Sequence, residues 1–536
     1  MKTVRIIGAL VAPLAIAAVA APIALAAPAP KVTLSTDAVT GLAQAQHLGA
    51  VAADQKISVA VSLNLRNSAE LDRTIAAVND PHSAQYGHFL TPEQFTARFG
   101  PTTDQVSRVT DYLRTQGLSV DAVSGNHLTV DASGPAAAVE KAFGTTLQNY
   151  RNGSRSFYAN ASAPTLPAEL GGVVLDVAGL NNQQIRVHHV DSLGAAVDPH
   201  AGPGGGFTPT QLKGAYDVTA TGDNGTGQTV ALWEFDGFQQ ANITKYDTNY
   251  ATGSPTPKVQ KVSGGSGALG DGQVEVELDI EAVQAIAPKA AITVFEAPNT
   301  DQGEVDLANA IVASKISQTS ISWGLSEKGR TASGIQAVDN VFKQGAAQGQ
   351  SFFAASGDSG SDDNGDGSAT VDYPASDPYV TGVGGTNLST STTTSWKSET
   401  AWNGSGGGTS SQFALPTFQS GVKVGTTGKR QVPDVSAQGG PTGISVYTQG
   451  QWTSVYGTSG AAPIWAGVAA VYNQAAAAKG KTGLGSANTK LYSLAKTDFH
   501  DITSGSNGAY KAGTGFDLVT GIGTPDAAKI LAEGIK

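Results

Sequence analysis

Between residues 57 and 65 apolar and polar side chains alternate, which predicts a strand with one covered face. Residues 70–78 then repeat apolar side chains at helical spacing and stop at Asn79, Asp80 and Pro81, because proline disfavours helical backbone in the residue before it. Thr91, Pro92, Glu93 and Gln94 form a capping box with proline at the first helical position, opening a helix that carries Phe95 and Phe99. Val106, Val109, Tyr112 and Leu113 make a further apolar stripe, which Gly117 ends. A strand over 127–130 and a helix over 135–143 complete an α+β module whose end lies near Leu180. From Phe207 onward the pattern changes. Apolar strand-like runs at 229–235, 291–296, 319–322 and 351–355 alternate with helical stretches, which predicts a parallel sheet covered by helices on both faces. Ligands in that architecture sit at the carboxyl ends of the strands.

Composition narrows the setting. A chain of 536 residues is too long for one ordinary domain. Lys2 and Arg5 precede an apolar run over 6–26 that ends Ala24-Leu25-Ala26, so a secretory signal peptide over 1–26 is expected, and with it an extracellular product. Pro13 and Pro22 inside the run favour cleavage over a retained anchor, leaving no membrane association. A net charge of -11 without a basic stripe argues against a nucleic-acid partner. With no cysteine, disulfides and thiol chemistry are excluded, and bound calcium is a candidate staple. Residues 181–207 turn polar and rich in proline and glycine, and read as a solvated linker and cleavage region that holds His188, His189 and His200.

The candidate chemistry centres on Gly457-Thr458-Ser459-Gly460-Ala461-Ala462-Pro463, which leads into an apolar run over 464–472 closed by Gly480. This puts Ser459 at a helix N-terminus, where backbone N–H groups and the helix dipole favour an anion. Such a serine can be an acyl-transfer nucleophile or merely a helix cap. A nucleophile of the usual kind needs a histidine base, yet beyond the glycine-rich residues 202–206 the only histidine is His500, downstream and beside Asp501. Either Ser459 is no nucleophile, or its base is a carboxylate. Glu275, Glu277, Asp279 and Glu281 share a predicted helix over 273–287. The i, i+4 spacing stacks Glu275 over Asp279, a like-charge pair that costs roughly 0.2–0.5 kcal/mol unless a shared proton raises one pKa. A solvated acidic helix is the bland alternative.

The Ser459 segment resembles the nucleophile segment of subtilisin-type peptidases. Asp80-Pro81-His82-Ser83, Tyr86-Gly87, the run Leu90-Thr91-Pro92-Glu93-Gln94-Phe95 and Phe99-Gly100-Pro101 resemble the activation propeptide of the sedolisin family. Those serine-carboxyl peptidases share the subtilisin fold and replace its histidine with a glutamate. The resemblance, closest to the kumamolisin-like branch, covers nearly the whole chain after the leader. It implies a propeptide over 27–185, a linker with the maturation site over 186–206, and an α/β peptidase domain of subtilisin-like fold over 207–536. It further implies polypeptide substrates, the propeptide as intramolecular inhibitor, and a monomer.

Residue by residue, the resemblance makes Ser459 the nucleophile, Glu275 its general base and Asp279 the residue that orients the base. Glu234 matches a further glutamate linked to that pair. Asp358, in Ser356-Gly357-Asp358-Ser359-Gly360, is carried over to the oxyanion hole, a role that requires a protonated carboxyl and hence acid. It could otherwise satisfy turn amides. Ser322, Trp323 and Gly324 resemble the substrate-binding strand, although Trp323 can equally be a core aromatic, and Asp372 is a candidate for a pocket favouring basic side chains. The C-terminal segment resembles the family's calcium loop, with carboxylates from Asp501 and Asp517 and carbonyls from Ile502, Gly513 and Gly515. Asp362, Asn364, Asp366 and Gly367 open like an EF-hand loop, but position twelve is Tyr373, so a solvated acidic loop is expected. A tripeptidyl-peptidase, or a secreted binding protein on the same scaffold, are the alternatives to an endopeptidase.

Overall fold

The computed structural model describes residues 1–3, 30–193, 202–391, 394–422, 424–425 and 428–535; most of the expected leader, and His200, lie outside the described residues. The N-terminal module is built around β1 (Lys56–Leu63), α1 (Ser68–Asn79), α2 (Pro92–Phe99), α3 (Thr103–Thr115), β2 (Ser119–Val123), β3 (Thr129–Pro135), α4 (Ala136–Phe143) and β4 (Val174–Ala178). Its strands form an antiparallel sheet in the order β2-β3-β1-β4. Thr91 and Gln94 close the expected capping box on α2, and Thr102 and Gln105 close a second on α3. The strand expected at 127–130 starts at Thr129 instead, because a turn bonds the His127 N–H to the Ser124 carbonyl and puts His127 at φ 65°.

In the second half, β7 (Thr229–Glu234), β8 (Lys258–Lys261), α5 (Gln273–Ile286), β9 (Ala291–Glu296), α6 (Asp301–Ser314), β10 (Gln318–Ile321), β11 (Trp323–Ser326), α7 (Ala332–Ala347), β12 (Ser351–Ala355), β13 (Asp372–Tyr373), β14 (Thr381–Thr390), β15 (Trp396–Ala401), β16 (Val435–Gln438), β17 (Ile444–Thr448), β18 (Gln451–Tyr456) and α8 (Thr458–Ala478) follow in order. The central sheet runs β8-β9-β7-β10-β12-β14-β15, with β16 also on β14; every pairing is parallel except β14 with β15. Strand periodicity sorts the core. Val230 and Leu232 pack with α5 and α8 on one face, whereas Ala231 and Trp233 pack with α6 and α7 on the other.

The two halves share a core. Leu71 and Ile75 of α1 and Phe95 and Phe99 of α2 join the cluster containing Val338 and Phe342 of α7, and the Asn79 side chain donates to the Ala346 carbonyl (2.9 Å). Each such fully buried phenylalanine contributes roughly 1.5–3 kcal/mol, so this module is docked, not tethered.

The expected solvated linker is corrected over its first part. Arg186 and His189 are buried, Val187–His188 (β5) pairs antiparallel with β11, and Asp191–Leu193 (β6) pairs antiparallel with β18. Polar composition reads as loop, but here distant carboxylates pair with Arg186 and His189.

Candidate active site

Ser459 is the second residue of α8. Gly457 is the helix cap and no side chain bonds there, so Ser459 is not the capping serine. Pro463 lacks the N–H that would bond the Ser459 carbonyl four residues back. The Ser322 hydroxyl reaches that carbonyl instead (3.4 Å), and also donates to both oxygens of Asp279 (2.8 and 3.0 Å). The Ser459 hydroxyl donates to the Ser322 carbonyl (3.3 Å).

Beside it lie Glu275, Asp279 and Glu234, all without solvent exposure. Burial, then Asp279, push the Glu275 carboxyl well above the usual range, while the nearby Ser459 hydroxyl pulls it down. The two Glu275 oxygens have no partner within hydrogen-bond geometry, so that pull is proximity and not a formed bond. Burial also pushes Asp279 up, to about 7, against its bonds to Ser322 and Glu234. Glu234, raised by burial and Asp279, accepts from the Trp323 indole (2.8 Å). Trp323 therefore serves as core aromatic and as anchor for a carboxyl. Together the three acids form a dry chain that holds protons at pH values where free carboxylates would not.

The solvated acidic helix is excluded. Glu277 and Glu281 are fully buried: Glu277 accepts from the Gln239 N–H and the Asn242 and Gln273 amides (each 2.9 Å), and Glu281 from the Tyr447 N–H (2.9 Å). They face away from the serine into separate bonds.

On the other side, Asp358 Oδ1 accepts from the Thr458 N–H (2.8 Å) and hydroxyl (2.7 Å). Its other oxygen and the His189 carbonyl oxygen both crowd the Gly457 α-carbon, where φ is 141° and a side chain would strike both. Gly324 is required similarly, because a side chain there would strike Asp372 Oδ1. Asp372 in turn lies 3.3 Å from His189 Nε2. Burial would lower the His189 imidazole, but Asp372, Asp358 and Asp363 outweigh it and raise it to about 10. Asp372 itself stays above the usual carboxylate range because burial exceeds the pull of His189. Burial and Asp372 push Asp363 up to about 8.

Thus Ser459, Glu275, Asp279, Glu234, Ser322, Trp323, Gly324, Asp358 and Asp372 come together at the carboxyl ends of β7, β10 and β12. Asp501, Ile502, Gly513, Gly515 and Asp517 form a separate C-terminal turn. Two residues were missed. Asp363 sits in the loop dismissed as solvated, and its only signal was its place three residues from the Gly360 turn. His189, which reads as a linker residue, lies within the site; its neighbour His188 stacks edge-on against Trp323 (5.2 Å) and sets its Nδ1 3.8 Å from Glu275 Oε2.

A parallel α/β sheet with a buried serine and carboxyls at the head of its central helix defines the class: a serine-type peptidase of subtilisin-like fold. Residues 263–497 match the subtilase family, and residues 43–183 match the pro-kumamolisin activation domain. Sedolisin from Pseudomonas sp. (strain 101) is 35% identical over 98% of this chain and 96% of its own, and kumamolisin from Bacillus sp. (strain MN-32) is 33% identical over 91% and 93%. The solved Pseudomonas sedolisin, a serine-carboxyl proteinase complexed with two molecules of pseudo-iodotyrostatin, superposes with TM-score 0.55 at 31% identity over 62% of this chain and 98% of that one. The chain belongs to the sedolisin family of serine-carboxyl peptidases and carries an activation propeptide.

Proposed function

We propose that this chain is a secreted, acid-acting serine-carboxyl endopeptidase. Ser459 Oγ attacks the scissile carbonyl carbon, and Glu275 takes the hydroxyl proton. The tetrahedral intermediate collapses as the C–N bond breaks, and the proton on Glu275 passes to the leaving amine. Water then adds to the Ser459 ester, with Glu275 again taking and returning the proton. Asp279, held by Ser322, and Glu234, held by Trp323, keep a proton next to Glu275 and set its basicity. The Ser459 N–H and protonated Asp358 face the developing oxyanion. One observation supports this reading above others: a buried serine hydroxyl adjoins a Glu275 carboxyl whose oxygens make no hydrogen bond, with His188 Nδ1 3.8 Å from one of them.

Calcium is proposed as a structural ion. Asp501 accepts from the Gly515 N–H through both oxygens (3.1 and 3.0 Å), and Asp517 from the Gly513 N–H (3.0 Å), so both carboxylates address one glycine turn. Hard oxygen donors of Asp501, Asp517, Ile502, Gly513 and Gly515 fit a calcium ion, which would cross-link the turn.

Hydrolysis of denatured casein by the purified chain and by Ser459→Ala, at about pH 4 and about pH 8, tests the function, because a free glutamate titrates near 4.3. Acid-dependent hydrolysis by the parent alone is expected; equal activity of the two proteins refutes it. A long N-terminally blocked peptide separates endopeptidase from tripeptidyl-peptidase activity: only the former cleaves it.

A further inference from the structure

The segment from Arg186 to Val190 lies in the cleft as a peptide substrate would. Val187 pairs with Gly324 and His188 with Trp323, adding a strand to β11. The His189 N–H donates to Ser459 Oγ (3.1 Å) and to the Ser322 carbonyl (3.4 Å), and its carbonyl oxygen accepts from the Ser459 N–H (3.2 Å). That carbonyl also shares the space over Gly457 with Asp358 Oδ2. The His189 side chain lines, with Asp358, Asp363 and Asp372, an acidic cleft of about 450 Å³. Upstream, the Arg186 guanidinium is buried between Asp301 (2.7 Å) and Glu304 (2.6 Å), and Arg330 also reaches Glu304. Glu304 is held down at about 2, where burial would raise it, by those two arginines. The segment is thus pinned on both sides of the serine.

The geometry points to His189–Val190 as the bond this site cuts first in its own chain, with the His189 side chain read as a cation by Asp372. The inference rests on Ser459 being the nucleophile. The Ser459 Oγ–His189 carbon bond forms and its proton goes to Glu275. The bond to the Val190 nitrogen breaks, and that amine takes the proton back. Water releases His189 as a free carboxylate and restores the serine. Arg186 stays on the same fragment as His189, so the released propeptide keeps its grip on Glu304 and lingers as a product-like inhibitor. The same pocket should favour lysine, arginine or protonated histidine before the scissile bond of other substrates.

The test uses the full chain transferred to acid, with the first new N-terminus read by mass spectrometry beside casein hydrolysis. Parent protein should begin at Val190, and Ser459→Ala should remain uncut. His189→Glu, which sets a carboxylate against Asp372, should slow this cut about a hundredfold or more, whereas His189→Lys should stay within about tenfold of the parent. In peptides, Asp372→Asn should lose most of the preference for lysine over leucine before the cut, read as kcat/KM ratios. If the parent hydrolyses casein but its first N-terminus lies elsewhere, or His189→Glu matures at the parent rate, this inference is overturned and the peptidase reading stands. If the parent hydrolyses no more casein than Ser459→Ala, both fall.

Discussion

Replacing Glu275 by glutamine should lower activity and raise stability together, a pairing that a structural role for Glu275 would not produce. Glutamine has the same shape, and the carboxyl oxygens it replaces accept no hydrogen bond in geometry, so no packing or hydrogen bond is lost and only the 3.8 Å approach of His188 Nδ1 is weakened. A positioned general base contributes roughly 10²–10⁴ in rate, or about 3–5 kcal/mol, and this is the expected loss in the rate of self-processing in acid and in casein turnover. Stability moves the other way. Burial, then Asp279, raise the Glu275 pKa in the fold, so the fold prefers its protonated form. The contribution is complete below the unfolded value near 4.3 and is lost as pH rises through the folded value. Glutamine cannot ionise and escapes that loss. In a Ser459→Ala background, which prevents processing, the added Glu275→Gln exchange should raise the melting temperature at about pH 7 and leave it nearly unchanged at about pH 3. Calorimetry of the two unprocessed chains, beside gel densitometry of conversion for the single variant, measures both halves. Parent-like conversion by Glu275→Gln, or a lower melting temperature at neutral pH, would refute the reasoning.

Ser322→Ala removes the hydroxyl that bonds both Asp279 oxygens; a hydrogen bond to a charged group is worth roughly 1.5–3 kcal/mol, so the Asp279 pKa should rise from about 7 by a unit or more, read by shift of the pH profile of kcat/KM. Gly324→Ala should displace Asp372 and weaken preference for lysine over leucine without changing the melting temperature by more than a few degrees, measured with paired peptides. Asp131 of β3 meets Asp306 of α6 across the junction of the two halves, and burial and Asp306 raise it to about 8. That contact holds fully below about pH 4 and fades as pH rises through about 8, so Asp131→Asn in the Ser459→Ala chain should raise the melting temperature at about pH 9 and not at about pH 4. Chelation of calcium should lower the melting temperature of the parent, and Asp517→Asn should abolish that response.

Much of this architecture is legible locally. The Thr91–Gln94 capping box, the 291–296 and 351–355 strands and the helix opening at Gln273 each carry their own signal in neighbouring residues. So does the Glu275–Asp279 stack, since spacing alone places both on one face. What the order of residues conceals is whatever depends on distant partners. Glu277 and Glu281 read as solvated acids until Asn242, Gln239 and Tyr447 arrive from other elements to bond them. Asp363 reads as part of an exposed acidic turn, yet the fold turns it toward His189. The segment from Arg186 to Val190 is the sharpest case. Its charged and imidazole side chains look solvated, because nothing adjacent pairs with them; Glu304 and Asp372 face Arg186 and His189 from more than a hundred residues away. A stretch whose partners all come from distant elements carries no local sign of burial, so its composition reads as loop and only the fold reveals the cleft it fills.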